Sequence, residues 1–208
     1  MKCVVLIGYS GHAFVVADTL VSRGRELRGY CDREAKTLNP FDLPYLGPET
    51  ADAVRRILRE VPFFVSIGSN AIRQRVYGNL TDAGFVPATA AVHPTAWISP
   101  SARIGDGTLV APQVTINALV YVGEGGILNT GCTVEHECVI GRFAHIAPGC
   151  VLAGNVTVGE GAFVGAGSVV KQGVHIGPNA TVGAGAVVLN DVKAGDTVAG
   201  NPARLLTR

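Results

Sequence analysis

The sequence predicts a small α/β domain followed by a parallel β-solenoid, and three observations support this prediction. Residues 1–91 contain 20 of the 33 charged residues and alternate strand-like with helix-like segments. From Val92 onward the pattern changes to a repeat of six residues. The chain of 208 residues has 27 Gly and only 6% aromatic residues, which suits tight turns and thin side-chain layers better than a helical bundle.

The first domain, residues 1–91, follows a βαβαβα pattern. Strands are predicted at residues 3–8, 27–31 and 63–68. Helices are predicted at residues 12–24, 49–61 and 71–84, and Gly24 and Gly84 end the first and third of them. In the second helix, Ala53, Ile57 and Val61 share one apolar face. We therefore expect a Rossmann-like domain with a small parallel sheet flanked by helices.

The second domain, residues 92–208, is built from six-residue repeats and ends in a short tail. Written in hexads from Val92, the first position is Val, Ile or Leu in 17 of 18 hexads, without an insertion. The fifth position is mostly small, and Gly fills the second position in eight hexads, where a turn is expected to need it. Each hexad predicts one short strand and one corner of a triangular solenoid. Three hexads make one coil, so six coils are expected, each rising about 4.8 Å.

Cysteine positions, charge and apolar runs restrict the class of protein. Cys132, Cys138 and Cys150 fall at the small fifth position, so we interpret them as core residues rather than ligands or nucleophiles. Five cysteines without a CxxC pair favour a reduced, cytoplasmic protein. A net charge of +1 argues against nucleic acid or an anionic membrane as partner. The apolar runs are too short for a membrane span or a signal peptide.

A charged cluster stands in the otherwise charge-poor second domain. Glu135, His136, Glu137, Arg142 and His145 lie within eleven residues. His136 takes the third hexad position and Glu137 the fourth, near a corner, so both side chains can face outward. Neutral His is the usual general base near pH 7, and an adjacent carboxylate can orient its ring. A solvated His–Glu pair on the surface is the alternative that these residues leave open.

Several stretches of the chain resemble a known family. They are residues 8–18 (GYSGHAFVVAD), 67–77, 127–149, 152–170 and 200–204. Together they are similar to the bacterial hexapeptide-repeat acetyltransferases that join a nucleotide-sugar-binding domain to a β-helix. That family includes UDP-4-amino-sugar N-acetyltransferases of the bacillosamine pathway, GDP-perosamine N-acetyltransferases and sialic acid O-acetyltransferases. The resemblance implies a left-handed parallel β-helix, an exception to the usual right-handed crossover.

The resemblance also implies ligands, assembly and residue roles. Acetyl-CoA is the expected co-substrate, no metal is expected, and a homotrimer would place three active sites at its interfaces. His136 is expected to be the general base with Glu137 as its partner. Asn129 is expected in the active site, and His145 near the thioester of acetyl-CoA. An Asn ladder with Asn117, and a corner position at a subunit interface for His145, are the alternatives.

Small and basic residues of the later coils are the expected contacts of acetyl-CoA. In the family, the pantetheine arm lies in the groove between neighbouring β-helices. The small residues at corresponding coils are Ala153, Gly165, Ala166, Gly183 and Ala184, and the candidate phosphate partners are Lys171 and Arg204. Ordinary corner turns and solvated cations are the alternatives for these residues.

The loop after the first strand is the candidate sugar-nucleotide site. Its sequence, GYSGH at residues 8–12, opens a helix, so its N–H groups can bind a phosphate. It lacks the G-x-G-x-x-G fingerprint of dinucleotide sites. The resemblance, together with the sheet edge where such folds bind ligands, implicates Ser10, Gly11, His12, Asp32, Arg33, Gly68 and Asn70. Family members often have paired acids where this chain has Asp32-Arg33, so the nucleobase stays open.

Four functions are compatible with these patterns. The first is direct acetyl transfer from acetyl-CoA to the 4-amino group of a UDP- or GDP-linked deoxy sugar, with His136 as base. O-acetylation of a sialic-acid-like sugar needs the same machinery. A metal β-helix like γ-carbonic anhydrase would require His136, His145 and His175 to converge on zinc between subunits. A non-catalytic assembly protein fits the solenoid, but not the N-terminal domain joined to a His–Glu pair.

Overall fold

The N-terminal domain is a four-stranded parallel sheet with three helices, as a computed structural model of residues 3–206 shows. Its strands are β1 (Cys3–Ile7), β2 (Glu26–Cys31), β3 (Tyr45–Gly47) and β4 (Phe63–Val65), in the order β3-β2-β1-β4. Its helices are α1 (Gly11–Ser22), α2 (Asp52–Leu58) and α3 (Asn70–Asp82). The continuous aliphatic run of β1 is buried because the sheet is covered on both faces. The predicted α/β domain is confirmed, and only the three-residue edge strand β3 was not foreseen.

Helix α2 differs from its prediction in length and in the face it buries. It covers Asp52–Leu58 instead of residues 49–61, and its buried residues are Val54 and Leu58. Ala53, predicted to face inward, is exposed, while Ile57 and Val61 pack partly against the core. The i, i+4 spacing was right, but the larger side chains of Val54 and Leu58 take the core positions because they bury more apolar surface.

The second domain is a left-handed parallel β-helix made almost entirely of two-residue strands. In chain order these are β5 (Ala91–Val92), β6 (Trp97–Ile98), β7 (Arg103–Ile104), β8 (Leu109–Val110), β9 (Thr115–Ile116), β10 (Tyr121–Val122), β11 (Ile127–Leu128), β12 (Thr133–Val134), β13 (Val139–Ile140), β14 (His145–Ile146), β15 (Val151–Leu152), β16 (Thr157–Val158), β17 (Phe163–Val164), β18 (Val169–Val170), β19 (His175–Ile176), β20 (Thr181–Val182), β21 (Val187–Val188), β22 (Thr197–Ala199) and β23 (Arg204–Leu205).

Three stacks of these strands form the three faces of a triangular prism. Face 1 holds β5, β8, β11, β14, β17, β20 and β22; face 2 holds β6, β9, β12, β15, β18 and β21; face 3 holds β7, β10, β13, β16 and β19. The chain visits faces 1, 2 and 3 in turn, so each coil has a 1–2 corner, a 2–3 corner and a 3–1 corner. The predicted β-helix of hexapeptide repeats is confirmed.

The interior of the β-helix is filled by the first and fifth hexad positions. Cys132, Cys138 and Cys150 are fully buried, as the hexad pattern predicts. Burial raises the pKa of each of these thiols, so they remain protonated at neutral pH. They are core residues, with no reactive thiolate.

The hexad frame ends at Val188, which corrects the prediction of 18 uninterrupted hexads. Val164 pairs with Val182, 18 residues later, but Val182 pairs with Val198, only 16 residues later. Ile176 likewise bridges to Val192. The last coil therefore lacks two residues: Val192 takes the core position that the frame assigned to Ala194, and Val198 takes the one assigned to Gly200. A valine fills the interior better than an alanine does, which explains why the frame shifts.

Glycine at the second hexad position allows close packing between coils, whereas we expected a turn to need it. On the 3–1 corner these residues are Gly105, Gly123, Gly141, Gly159 and Gly177, and a Cβ on each would lie 2.4–2.7 Å from a backbone nitrogen of the next coil. Left-handed backbone occurs instead at the fourth position, where Glu137 has a φ of 60°. The glycines thus keep the 3–1 corner flat.

Helix α3 lies along this flat corner and joins the two domains. Asn70, Arg73, Gln74 and Tyr77 share one face of the helix, at spacings i, i+3, i+4 and i+7. The Asn70 amide donates to the carbonyls of Gly161 and Ala162, at 2.9 and 3.1 Å. Gln74 donates to Glu160, and the Tyr77 hydroxyl to Glu124. These contacts fix the orientation of the sheet domain on the β-helix.

Within residues 3–206, no helix combines the length and the apolar character needed to cross a membrane.

Candidate active site

His136 and Glu137 form a half-exposed pair on the 2–3 corner. Nδ1 of His136 lies 3.1 Å from Oε2 of Glu137. Their side chains are 51% and 57% exposed, so a substrate can reach them. A neutral imidazole that donates its Nδ1–H to a carboxylate leaves Nε2 free to accept a proton. This is the arrangement of a general base with an orienting acid.

The backbone at Glu137 supports this geometry at an energetic cost. Its φ of 60° lies in the left-handed region, which costs a non-glycine residue about 1–3 kcal/mol. From residue 107 to residue 185, every fourth hexad position has a positive φ, and Gly or Asn fills ten of these fourteen corners. Glutamate at the corner places its carboxylate beside the preceding imidazole.

Gly154, one coil further on, makes room for the imidazole. A Cβ on Gly154 would lie 2.4 Å from Cε1 and 2.6 Å from Nε2 of His136. The ring therefore packs over the Gly154 backbone. Sequence reasoning missed this residue, although Gly154 is the only glycine at the third position in the 18 hexads that begin at Val92. On the same corner, Glu135 accepts a hydrogen bond of 2.8 Å from Asn117.

A second polar group lies on face 1 beneath the N-terminal domain. The Asn129 amide donates to Nε2 of His145 at 3.2 Å, and its oxygen accepts from the Thr130 N–H at 2.8 Å. The second bond fixes the orientation of the amide, so Nε2 of His145 is the acceptor. A neutral His145 must then have its proton on Nδ1.

Burial keeps His145 and the nearby His12 uncharged. Desolvation, reinforced by the positive charge of Arg73, lowers the pKa of each histidine to about 4. The two rings are 6.4 Å apart, so helix α1 brings His12 to the β-helix strand that holds His145.

The Nδ1 of His145 is buried and has no hydrogen-bond partner among residues 3–206. The Gly68 backbone raises the His145 pKa, but no contact of Nδ1 meets hydrogen-bond geometry. An unpaired buried donor costs about 1–3 kcal/mol. Such a donor is a candidate contact for a ligand oxygen.

A cleft of about 410 Å³ lies at the carboxyl edge of the parallel sheet. Of the predicted sugar-nucleotide residues, Ser10, Asp32 and Arg33 line it, and sequence reasoning missed Glu49 and Arg75. Ser10 is the N-cap of α1, yet its side chain makes no capping bond, and Gly11 is exposed beside it. The Ser10 hydroxyl is therefore available at a helix N-terminus, where anions bind.

The carboxylate of Asp32 already has hydrogen-bond and ion-pair partners within the protein. Its carboxylate accepts from the backbone N–H of Tyr9 at 3.0 Å and of Arg33 at 2.7 Å. It also pairs with Lys36 at 3.3 Å. A contact between Asp32 and the nucleoside stays a prediction.

Two other predicted sugar-nucleotide residues lie in or beside the domain interface. Asn70 uses its amide to dock α3 on the β-helix. Gly68 packs against the ring of His12. Their contact with the sugar also stays a prediction.

One chain does not bring the two polar groups together. His136 lies on the 2–3 corner, whereas Asn129 lies on the 1–2 corner and His145 on face 1. The predicted acetyl-CoA contacts divide in the same way. Ala153 and Lys171 follow His136 on the 2–3 corner, and the 1–2 corner holds Gly165, Ala166, Gly183 and Ala184.

Close packing of coils already accounts for two of these small residues. A Cβ on Gly165 would lie 2.6 Å from the Ala184 nitrogen, and one on Gly183 would lie 2.8 Å from the Ala199 Cβ. Lys171 is exposed, and so is Arg204, on the last strand. Their contact with phosphates stays a prediction.

The geometry rules out the Asn ladder, and within one chain it gives no support to the metal β-helix. Asn117 lies on the 2–3 corner and Asn129 on the 1–2 corner, so an Asn ladder is wrong. His136, His145 and His175 lie on a corner, face 1 and face 3 respectively. They do not converge within one chain, and residues 3–206 contain no group of three metal-ligating side chains.

Comparisons with known proteins agree with this architecture. Residues 3–80 match the PglD N-terminal domain family, and residues 137–172 and 155–190 match the bacterial transferase hexapeptide (six repeats) family. PerB from Caulobacter crescentus, solved with CoA and GDP-perosamine, is 38% identical over 100% of this chain and 98% of its own, with a TM-score of 0.92. The acetyltransferase domain of PglB from Neisseria gonorrhoeae, solved with acetyl coenzyme A, is 33% identical over 99% of each chain, with a TM-score of 0.91.

A further relative is the UDP-N-acetylbacillosamine N-acetyltransferase of Bacillus subtilis, which is 34% identical over 112 residues. The chain matches about half the length of that curated relative, since the alignment covers 51% of it. The fold and these relatives together define an acyltransferase of the left-handed β-helix class. Within that class, the chain belongs to the bacterial hexapeptide-repeat sugar acetyltransferase family.

Proposed function

We propose that this protein transfers acetyl from acetyl-CoA to the 4-amino group of a UDP- or GDP-linked deoxy sugar. The observation that carries the proposal is the accessible His136–Glu137 pair, with Nδ1 and Oε2 3.1 Å apart, on a hexapeptide β-helix joined to a nucleotide-type cleft. Relatives support the substrate class, because PerB was solved with GDP-perosamine and the Bacillus subtilis enzyme is named for an N-acetylated UDP-amino sugar.

The proposed chemistry is a direct transfer with His136 as base. The neutral amine attacks the thioester carbonyl carbon, a C–N bond forms and the C–S bond breaks. Nε2 of His136 takes the proton from the amine, and the sulfur leaves as the thiol or thiolate of CoA. Glu137 stabilises the imidazolium that forms.

His145 is suited to stabilise the oxygen of the thioester. Its Nδ1–H is an unpaired buried donor, fixed by the Asn129 contact on the opposite nitrogen. A preorganised donor in a desolvated site stabilises the negative charge that develops on the carbonyl oxygen.

A homotrimer would bring the two polar groups together. The outward side chains of face 2 are all uncharged: Trp97, Thr115, Thr133, Val151, Val169 and Val187. Packing of this face against a neighbouring copy would bury them and place the 2–3 corner of one chain near the 1–2 corner of the next. The predicted acetyl-CoA contacts, which lie on two different corners of a single chain, would then line one groove between two chains.

The proposal is tested by thiol release from acetyl-CoA. The acceptor panel is GDP-perosamine, a UDP-4-amino-4,6-dideoxy sugar and free sialic acid. Wild type should turn over one nucleotide-linked amino sugar, and His136→Ala should lose about 10²- to 10⁴-fold in kcat while both substrates still bind. His175→Ala, an exposed histidine on face 3, is the matched control and should keep wild-type turnover. Full activity of His136→Ala, or turnover of sialic acid alone, would contradict the proposal.

A further inference from the structure

Arg73 is a buried cation without an acidic partner. It is 1% exposed and among the largest fully buried side chains of residues 3–206. None of the ion pairs found in that part of the chain includes Arg73. Burial lowers its pKa to about 9, so it is still charged at neutral pH. An apolar side chain of similar volume would avoid this desolvation cost. The arginine therefore points to a geometric role.

The guanidinium is held by oxygen atoms from both domains. Nη1 donates to the carbonyls of Ile67 and Gly68 at 3.0 Å each, and Nε donates to Gly125 at 2.7 Å. Nη2 donates to the Phe143 carbonyl and to Oδ1 of Asn70, both at 2.8 Å. Ile67, Gly68 and Asn70 belong to the sheet domain, whereas Gly125 and Phe143 are fourth-position corner residues of the β-helix.

The groups that Arg73 connects lead directly to the candidate active site. On the sheet-domain side, Gly68 packs against the ring of His12, and Ile67 lines the cleft. On the β-helix side, Phe143 comes two residues before His145. One side chain thus links the edge of the cleft to the strand that holds His145.

We propose that Arg73 is a positioning residue, which sets the placement of the sugar-nucleotide cleft relative to His145 and Asn129. This inference rests on the proposed function, because the placement matters when an acceptor held in the cleft must reach a thioester at the β-helix. A misplacement of about 1 Å can cost 100-fold in rate.

The shape of arginine explains why another cation would not replace it. The planar guanidinium directs five N–H groups in fixed directions, so it can bind carbonyls of two domains at once. Lysine carries three donors at a single point and cannot reach both sides. Arg73→Lys therefore keeps the positive charge and loses the arrangement of hydrogen bonds. This variant separates the contribution of the charge from that of the hydrogen-bond geometry.

The experiment compares Arg73→Lys and Arg73→Met with wild type, and Arg56→Lys on the exposed side of α2 is the control. We expect Arg73→Lys to lower kcat with the nucleotide sugar about tenfold or more, because the acceptor and the thioester are misaligned, with the KM for acetyl-CoA unchanged. Amide hydrogen exchange should accelerate in residues 67–73. If Arg73→Met does not fold, Asn70→Ala removes the neighbouring bonds to Gly161 and Ala162 and should change the same quantities in a smaller degree.

A purely structural role predicts a different result. If Arg73→Lys lowers the melting temperature but keeps both KM values, kcat and the exchange of residues 67–73, Arg73 only adds stability and the proposal is wrong. Failure of the proposed function would appear separately, as a wild-type protein without turnover on the panel. In that case the exchange rates and the affinity for GDP and UDP still decide whether Arg73 sets the shape of the cleft.

Discussion

At the scale of single residues, the candidate base depends on two unusual backbone positions. Glu137 adopts a left-handed backbone conformation, which places its carboxylate beside His136. Gly154 leaves the space into which the imidazole packs. Neither requirement concerns the chemical identity of the base itself. Both positions predict that small changes of the backbone near His136 lower the catalytic rate more than they lower the stability of the fold.

Gly154→Ala should lower kcat about 100-fold while the protein stays folded. The new Cβ would lie within 2.6 Å of the ring, and the terminal imidazole moves more easily than the backbone does. Turnover and CoA affinity are measured together, and CoA binding should be retained. Gly177→Ala, which meets the backbone of the next coil far from His136, is the control for general coil strain. Equal kcat losses in the two variants would refute the positional effect.

The two buried histidines make the stability of the protein sensitive to acid. His12 and His145 have a pKa of about 4 in the fold and an ordinary value of 6.5. Between these values the unfolded chain binds protons that the folded chain does not, so the free energy of unfolding decreases as pH falls from 6.5 to 4. Well above pH 6.5 both histidines are neutral in both states, and this dependence disappears.

Replacement of both histidines should flatten that dependence. Urea denaturation at several pH values between 7 and 5 compares wild type with the double variant His12→Gln/His145→Gln. The variant is expected to lose less stability than wild type on acidification, whereas the exposed-histidine control His175→Gln should follow wild type. Identical pH dependence in the double variant and wild type would show that these histidines do not become harder to protonate on folding.

At the scale of secondary structure, the 3–1 corner and α3 fit each other. Five second-position glycines bring successive coils together and keep the corner flat, and one face of α3 lies along it. The residues of that face carry polar groups rather than large aliphatic ones, because they meet carbonyl and carboxylate oxygens at the corners. The stability of the contact between α3 and the 3–1 corner therefore depends on the close approach of the backbones of successive coils.

Gly141→Ala should destabilise the protein by about 1–3 kcal/mol, since its Cβ would lie 2.6 Å from the Glu160 nitrogen. The clash is with backbone, which has little freedom to move in a stack of coils. Urea denaturation gives the midpoint, which should fall. Gly78→Ala on α3 is the control, because no atom lies within 4 Å of its added Cβ and alanine favours a helix. An unchanged midpoint for Gly141→Ala would contradict the packing role.

At the scale of the whole molecule, the division of the site between corners predicts a shared active site. Catalysis would need His136 of one chain and His145 of a neighbouring chain in a cyclic trimer. A trimer that mixes His136→Ala chains with His145→Gln chains then has one interface where both histidines are intact, so about one third of its sites are active.

Co-expression of these two variants should therefore restore turnover that neither has alone. Light scattering measures the mass of the assembly, and differently tagged chains allow mixed trimers to be purified. A protein that remains monomeric at working concentration would contradict the assembly. Mixed trimers without activity would contradict the sharing of the site, even if the trimer exists.

Much of the candidate site could be proposed from the sequence, because charged residues stand out in a repeat that contains few of them. His136 and Glu137 stand out as charged residues in a charge-poor repeat, and the hexad position shows that they face outward. Arg73 and Gly154 were not predictable in the same way. Their importance comes from what lies next to them, the carbonyls of another domain for Arg73 and a ring one coil earlier for Gly154.

The sequence by itself determined the two domains and the inward residues of the coils. A period of six with aliphatic first positions permits one stacking, since any other register would expose those side chains. Local spacing is sufficient for this, because each coil packs on a copy of itself. Only the tertiary structure decided the two-residue shortening of the last coil, the docking of α3 and the burial of His12 and His145 near each other. Those features depend on the distances between groups far apart in the chain, and no local pattern encodes such distances.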